Sequence, residues 1–304
     1  MAATLRPYTP NDLGMLQALV EAEGIAEQYD KFAGPGGAER MLADAWAPTA
    51  GVRLAYVDGE PAGFAYAILL PGPPAPWAVL RGGVLPRFRR LGIGRALHDE
   101  VIAWLGTQQP LRELAMSAWQ PNSGAEGLTA ALGYQHDRWL WRMDRPRGPV
   151  AEPVWPADVS VRTLDGSDAM LADWNDVYND SFAEHHRYVA SPLEHVHELA
   201  SKLDFRADGV LLAYRNGQVA GFCRNELHAT RGEIGTLGTV RAARGIGLGR
   251  ALVRWGVAWL QRDNSLPVTL LVDGGNEGAL ALYKSEGFVV TRTRRTWARA
   301  WRVA

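Results

Sequence analysis

A single cysteine, Cys223, is all that the 304 residues carry. One thiol excludes an internal disulfide and is too few for a cysteine-based zinc site, so a reducing cytoplasm is the expected setting. Long apolar runs are missing as well: no stretch approaches the roughly 18 uninterrupted apolar residues of a membrane span. The amino-terminal MAATLRPYTPNDL has no apolar core of a secretion signal. Neither membrane insertion nor export is expected. Nor is there an excess of charge of one sign. With 32 Lys and Arg against 33 Asp and Glu the formal net charge is −1, and no overall field recruits nucleic acid or an anionic membrane.

What is present is a composition of 47% hydrophobic and 21% charged residues, in a chain long enough for two domains with their own cores. The twelve tryptophans lie mostly in apolar-periodic or alternating segments, where core packing accounts for them. The sequence repeats itself. Arg244-Gly245-Ile246-Gly247-Leu248-Gly249-Arg250 has a counterpart 155 residues earlier at Arg89-Arg90-Leu91-Gly92-Ile93-Gly94-Arg95, giving R-x-x-G-x-G-R twice. In each copy a β-rich apolar run precedes the loop and an apolar-periodic helix follows it, Ala96 to Leu105 and Ala251 to Leu260. Other landmarks keep the same register. Leu5-Arg6 leading to Asp12 matches Val161-Arg162 leading to Asp168, a short strand and then a polar helix cap. Asp58-Gly59 matches Asn216-Gly217, both strong hairpin signals. Asn122 and Gly133-Tyr134 match Asn276 and Gly287-Phe288. Between the copies lies RPRGPVAEPVWP, whose four prolines oppose regular hydrogen-bonded structure.

The expected fold class is therefore α/β, with two tandem domains, each a mixed, mostly antiparallel sheet flanked by helices. Their expected bounds are 1–145 and 157–304, with residues 146–156 as the linker.

A glycine-rich loop before a helix leaves unpaired N–H groups at a positive helix end, suited to a phosphate. The P-loop pattern requires Gly-Lys-Ser/Thr after the last glycine, and both loops continue with Arg. The dinucleotide fingerprint belongs near the first strand of a βαβ unit, whereas these loops follow a hairpin late in each repeat. The remaining alternative is a glycine turn without a ligand.

The loop motif, taken with Asn276, Ala279, Tyr283, Gly287 and Phe288 in the order N-x-x-A-x-x-x-Y-x-x-x-G-F, resembles the GCN5-related N-acetyltransferases. The likeness spans nearly the whole chain, one domain per half. It implies acetyl-coenzyme A as cofactor, with its pyrophosphate on the glycine loop and its pantetheine arm between two splayed strands. The implied cofactor residues are Thr239, Val240, Arg244, Gly245, Ile246, Gly247, Leu248, Gly249, Arg250 and Asn276. In the first half they are Arg89, Arg90, Gly92, Gly94 and Arg95. Glycines permit close approach of the main chain, and arginines offer charge-assisted contacts. The implied activity is transfer of acetyl to a primary amine of a small molecule. The alternative is a non-catalytic acyl-coenzyme A sensor or interaction module. A monomer or homodimer is expected.

Acetyl transfer needs an oriented amine, a base, and a proton for the departing sulfur. Glu233, eleven residues before Arg244, stands where the resemblance places a general base. Tyr283, seven residues after Asn276, stands where it places the acid. The alternatives are a solvated strand-start carboxylate and an aromatic core residue. The same offsets in the first half reach Ala78 and Thr129, neither of which titrates near neutral pH. That half is expected to be catalytically silent, while keeping a phosphate loop. On the acceptor side, residues 171–203 hold four of the seven histidines. Asp180, Glu184 and His185 are the candidate substrate contacts, since carboxylates attract an amine. No metal is expected, because His195 and His197 on a helix point about 200° apart.

Overall fold

A computed structural model describes residues 3–26, 35–44, 46–108, 110–202, 204–228, 231–262 and 266–301. In the first half the elements are β1 (Ala3–Pro7), α1 (Leu13–Ala26), α2 (Gly37–Leu42), β2 (Arg53–Val57), β3 (Glu60–Leu70), β4 (Trp77–Val84), α3 (Ile93–Leu105), β5 (Glu113–Trp119), α4 (Ser123–Ala131) and β6 (Gln135–Arg145). The second half repeats the order with β7 (Val159–Thr163), α5 (Asp168–Phe182), α6 (Leu193–Ala200), β8 (Val210–Arg215), β9 (Gln218–Leu227), β10 (Gly232–Thr239), α7 (Leu248–Gln261), β11 (Val268–Asp273), α8 (Glu277–Ser285) and β12 (Val289–Ala300). Asp58 and Gly59, like Asn216 and Gly217, take positive φ and turn the two hairpins. The cap of α5 is Ser167, whose hydroxyl accepts from the Met170 amide, one residue ahead of the expected Asp168. Asp12 accepts instead from Arg6 and Thr9 as a buried carboxylate.

The compact units depart from the expected bounds. One comprises residues 1–138 and 294–304, the other 139–293. The reason is strand pairing. The free edge of β5 is taken by β12, antiparallel from Arg294↔Trp119 to Ala300↔Glu113. The edge of β11 is taken by β6, from Val268↔Arg145 to Asp273↔Leu140. Each final strand thus completes the sheet of the other repeat.

In the second unit β7, β8, β9 and β10 are consecutive antiparallel neighbours, and β10 runs parallel to β11. Side chains alternate across this sheet. Cys223 and Ile234 face α7 and α8 in a cluster with Leu248, Leu252, Val257, Leu270 and Tyr283. Phe222 faces α5 and α6 in a cluster with Leu171, Trp174, Val177 and Val196. Burying each such aliphatic or aromatic side chain contributes about 1.5–3 kcal/mol, so the site elements are held by packing on both faces. The first unit has the same order of elements, with α3 packed over β2, β3 and β4. Among the described residues no helix is long and apolar enough to cross a membrane.

Candidate active site

The site of the second unit is built around a fork between β10 and β11. Their parallel pairing consists of Gly232↔Val268 and Glu233↔Thr269. Beyond Glu233, β10 stays bonded to β9 alone, with a bulge between Ile234 and Thr236. A bulge re-aims its strand, and here it turns β10 away from its parallel neighbour directly after Glu233. No further β10–β11 pair is present among the described residues, and two strands that part in this way suit an extended, amide-bearing ligand.

β10 leads into the glycine loop. Gly245 and Gly247 take φ of 79° and 91°, and Gly247 is the N-cap of α7. The amides of Leu248, Gly249 and Arg250, in the first turn, have no intrahelical acceptor. Main-chain donors at a positive helix end fit the pyrophosphate of coenzyme A. The arginines are differently employed than expected. Arg244 reaches back to the end of β10 at Thr239 O (3.5 Å) and to Glu184 Oε2 (2.9 Å), while Arg250 reaches Glu286 Oε1 (3.1 Å). The Val240 amide donates to Ala220 O at 3.0 Å, so it is not free for a ligand. Asn276 caps α8, accepting from the Ala279 amide through Oδ1 at 3.0 Å. Thr239, half-buried, ends β10.

Glu233 lies in an ion cluster rather than in solvent. Arg231 Nη2 is 2.9 Å and His228 Nε2 3.3 Å from Glu233 Oε2. The same His228 nitrogen is 3.8 Å from Glu226 Oε2, and Arg224 Nη2 is 2.9 Å from Glu226 Oε1. Among the described residues no hydrogen bond of good geometry reaches the buried His228 Nε2, and its contact with Glu233 is an ion pair when the imidazole is protonated. Burial pushes the Glu233 carboxyl up, but the His228 and Arg231 contacts outweigh it and hold the group below its ordinary range. The His228 imidazole is held above its ordinary value, chiefly by Glu233. Glu233 is therefore ionised and well solvated by cations, which makes it a weak base for direct contact and a good anchor for a water.

Tyr283 on α8 is 8% exposed and meets Phe288 edge-on at 5.9 Å between ring centroids. It belongs to the cluster containing Ile234 of β10 with Leu270 and Val272 of β11, the strands that form the fork. Burial pushes its phenol well above the ordinary value, with the neighbouring Cys223 thiol adding to the effect. The hydroxyl stays protonated across the physiological range. Cys223 is fully buried and its thiol is likewise pushed up by burial, which makes it inert.

On the acceptor side the structure redistributes the expected contacts. Glu184 is not a free carboxylate: Arg241 Nη1 lies 2.8 Å from Oε1 and Arg244 Nη1 2.9 Å from Oε2. Asp180 is exposed on α5, and His185 meets the Phe182 ring edge-on at 4.6 Å. His195 and His197 lie on the helix α6. Leu203, at the end of the polar segment, lies outside the described residues. The residue that does touch β10 is Ser181. A Cβ on Gly238 would fall 2.6 Å from Ser181 Cβ and 2.9 Å from Phe222 Cε1. The Ser181 hydroxyl is buried and has no hydrogen-bond partner among the described residues.

Comparison with known proteins agrees with this geometry. The model of the acetyltransferase (GNAT) family matches residues 21–134 and again 171–288. The chain belongs to the GNAT family. The mycothiol acetyltransferase of Thermobispora bispora is 32% identical over 299 residues, covering 92% of this chain and 93% of its own. That of Salinispora tropica is 32% identical over 286 residues, covering 91% and 90%. A GCN5-related N-acetyltransferase from Sphaerobacter thermophilus superposes with a TM-score of 0.75 at 24% identity, over 99% of this chain and 96% of that one. A tandem GNAT protein from the clavulanic acid biosynthesis pathway also gives 0.75, at 17% identity and 100% coverage of both chains. The protein is an N-acetyltransferase with two GNAT domains.

In the first GNAT domain the same elements are present but the fork differs. β4 and β5 pair at four positions, Trp77↔Glu113 to Leu80↔Met116, and β4 pairs with β3 without a bulge. The first residues past the pairing are tied together, Arg81 Nη1 donating to Ser117 Oγ at 3.0 Å. Gly92 caps α3 with φ 79°, and Arg90 takes φ 67°. Arg89 donates to Val84 O at 2.9 Å and Arg95 to Ala131 O at 3.1 Å. Gly94 lies in the first turn of α3. Ala78 is buried, and Thr129 spends its hydroxyl on Ala125 O at 2.8 Å within its own helix.

Sequence reasoning missed the companions of Glu233. Alternation along Phe222-Cys223-Arg224-Asn225-Glu226 was the available signal, since it puts Arg224 and Glu226 on the face of Phe222. His228 and Arg231 join them only through the hairpin and carry no pattern.

Proposed function

We propose that the second unit transfers the acetyl group of acetyl-coenzyme A to a primary amine of a small molecule, with Glu233 as base and Tyr283 as acid. One observation carries this reading: the β10–β11 fork opens at Glu233 and runs directly into the loop of Gly245 and Gly247. When bound there, acetyl-coenzyme A supplies an activated thioester. The loop amides and the α7 N-terminus hold its pyrophosphate, and β10 beyond Glu233 offers its free edge to the pantetheine amides. Glu233 takes the proton of the incoming amine through a water that its ionised carboxylate anchors. Tyr283, kept protonated by burial, returns a proton to the departing sulfur. The first unit keeps a phosphate loop and does no chemistry, since Ala78 and Thr129 stand at the positions of base and acid.

The relatives named mycothiol acetyltransferase direct the choice of acceptor, so desacetyl mycothiol heads the panel of amines to be tried. The test is thiol release from acetyl-coenzyme A across that panel, comparing wild type with Glu233→Gln and Tyr283→Phe. Loss of turnover in both, with an accepted amine, supports the assignment. Unchanged turnover in both removes it.

A further inference from the structure

A recess of about 240 Å³ lies over the start of α7, and the proline-rich segment between the repeats forms one of its walls. Trp155 and Pro156 face Ile246, Gly247, Arg250 and Arg254. Gly247, Arg250 and Arg254 are spaced three and four apart, so they form one stripe along the helix. The stripe begins at the N-cap whose neighbouring amides suit a phosphate, and a ligand anchored there has this recess as its continuation. Its chemistry is divided. Trp155, Pro156 and Ile246 are flat or apolar, and Trp155 also packs on the α7 core. Arg250 and Arg254 are cations one turn apart that share a single carboxylate, Glu286, at 3.1 and 2.9 Å. Two guanidiniums on one carboxylate leave a net positive charge at the rim, and the Arg250 side chain is 48% exposed.

A planar heteroaromatic base and a phosphate monoester, joined to a pyrophosphate, are what such a recess complements. We propose that it is the adenosine subsite of the second unit, with Trp155 stacked on adenine and Arg250 and Arg254 meeting the 3′-phosphate. The inference rests on the reading that the Gly245–Gly249 loop takes coenzyme A. The segment that the sequence presents as a linker then forms part of the cofactor site, contributed by side chain rather than by backbone.

Calorimetric titration of the full chain with coenzyme A, 3′-dephospho-coenzyme A and 4′-phosphopantetheine tests it. Base–aromatic stacking is worth about tenfold or more in affinity. Trp155→Ala should weaken coenzyme A and its dephospho form by that factor and leave 4′-phosphopantetheine unchanged. Trp155→Leu, which keeps apolar bulk against α7 but cannot stack, should do the same, and Trp155→Phe should restore most of the affinity. Arg254→Gln should weaken coenzyme A but not the dephospho form. If wild type binds coenzyme A and both Trp155→Ala and Trp155→Leu bind it as tightly, the subsite is refuted while the loop reading stands. If wild type binds no coenzyme A, the loop reading itself falls.

Discussion

Arg81 donates from Nη1 to Ser117 Oγ at 3.0 Å, across the point where β4 and β5 part. The equivalent point of the second unit, beyond Glu233 and Thr269, has a bulge and an open fork instead. The two GNAT domains therefore differ in the backbone of the fork as well as in the residues at the base and acid positions. The bridge ties strands together and touches no reacting group on this account. Arg81→Ala should cost about 1 kcal/mol of stability, the usual net worth of one hydrogen bond, and leave the rate of thiol release within about twofold, since a change outside the active unit removes no transition-state contact. Chemical denaturation and a steady-state assay check the two halves of this expectation.

Tyr283→Phe separates acid from core residue. The hydroxyl has no hydrogen-bond partner among the described residues, so its removal should leave unfolding free energy nearly unchanged. Loss of a general acid should lower kcat by about 10²–10⁴-fold. A variant with full kcat would reduce Tyr283 to packing.

The Glu233 cluster predicts a pH dependence of stability with two limbs. Glu233 titrates below its ordinary value, so its stabilising contribution is present above the ordinary carboxylate range and is lost as pH falls through the lowered value. His228 titrates above its ordinary value, so its contribution is full below the ordinary imidazole range and is lost as pH rises through the raised value. Urea unfolding across pH should show the upper limb in wild type and lose it in His228→Gln. An identical profile in the two proteins would show that the ion pair does not form in solution.

Gly238 is required by the close approach of α5 to β10. A Cβ there would fall 2.6 Å from Ser181 Cβ, and overpacking of this kind costs typically about 1–3 kcal/mol. Gly238→Ala should be destabilised by that amount, and the double variant with Ser181→Gly should recover more than the sum of the single effects allows. Additive behaviour in the thermodynamic cycle would place the strain elsewhere.

Much of this was legible in the repeat. The hairpins at Asp58-Gly59 and Asn216-Gly217 and the loops at Gly92 and Gly247 follow from local backbone chemistry, which sequence encodes directly. Tyr283 is buried in the core cluster, the alternative that helical spacing left beside its reading as the acid. The exchange of β6 and β12 did not follow, because a strand's own sequence does not say which sheet edge it joins and only tertiary pairing decides it. The partners of Glu184 were hidden for a related reason: a carboxylate in a polar segment looks free until the fold brings Arg241 and Arg244 beside it. Trp155 shows the limit from the other side. Its prolines give the segment the look of a linker, yet nothing local says that it lies along α7 and meets Ile246 and Arg250.

Acetyl transfer is assigned above to the second unit, and the paired loop glycines test that assignment with a built-in control. Gly92 and Gly247 both cap their helices with positive φ, at 79° and 91°. Valine imposes similar backbone strain at either place, so the folding penalty is shared and the catalytic consequence is not. In a steady-state thiol-release assay with an accepted amine, Gly247→Val is predicted to lose about 100-fold or more in kcat/KM, as displacement of a bound substrate commonly does. Gly92→Val is predicted to stay within a few-fold of wild type. Equal losses, or a larger loss at Gly92, would contradict the account.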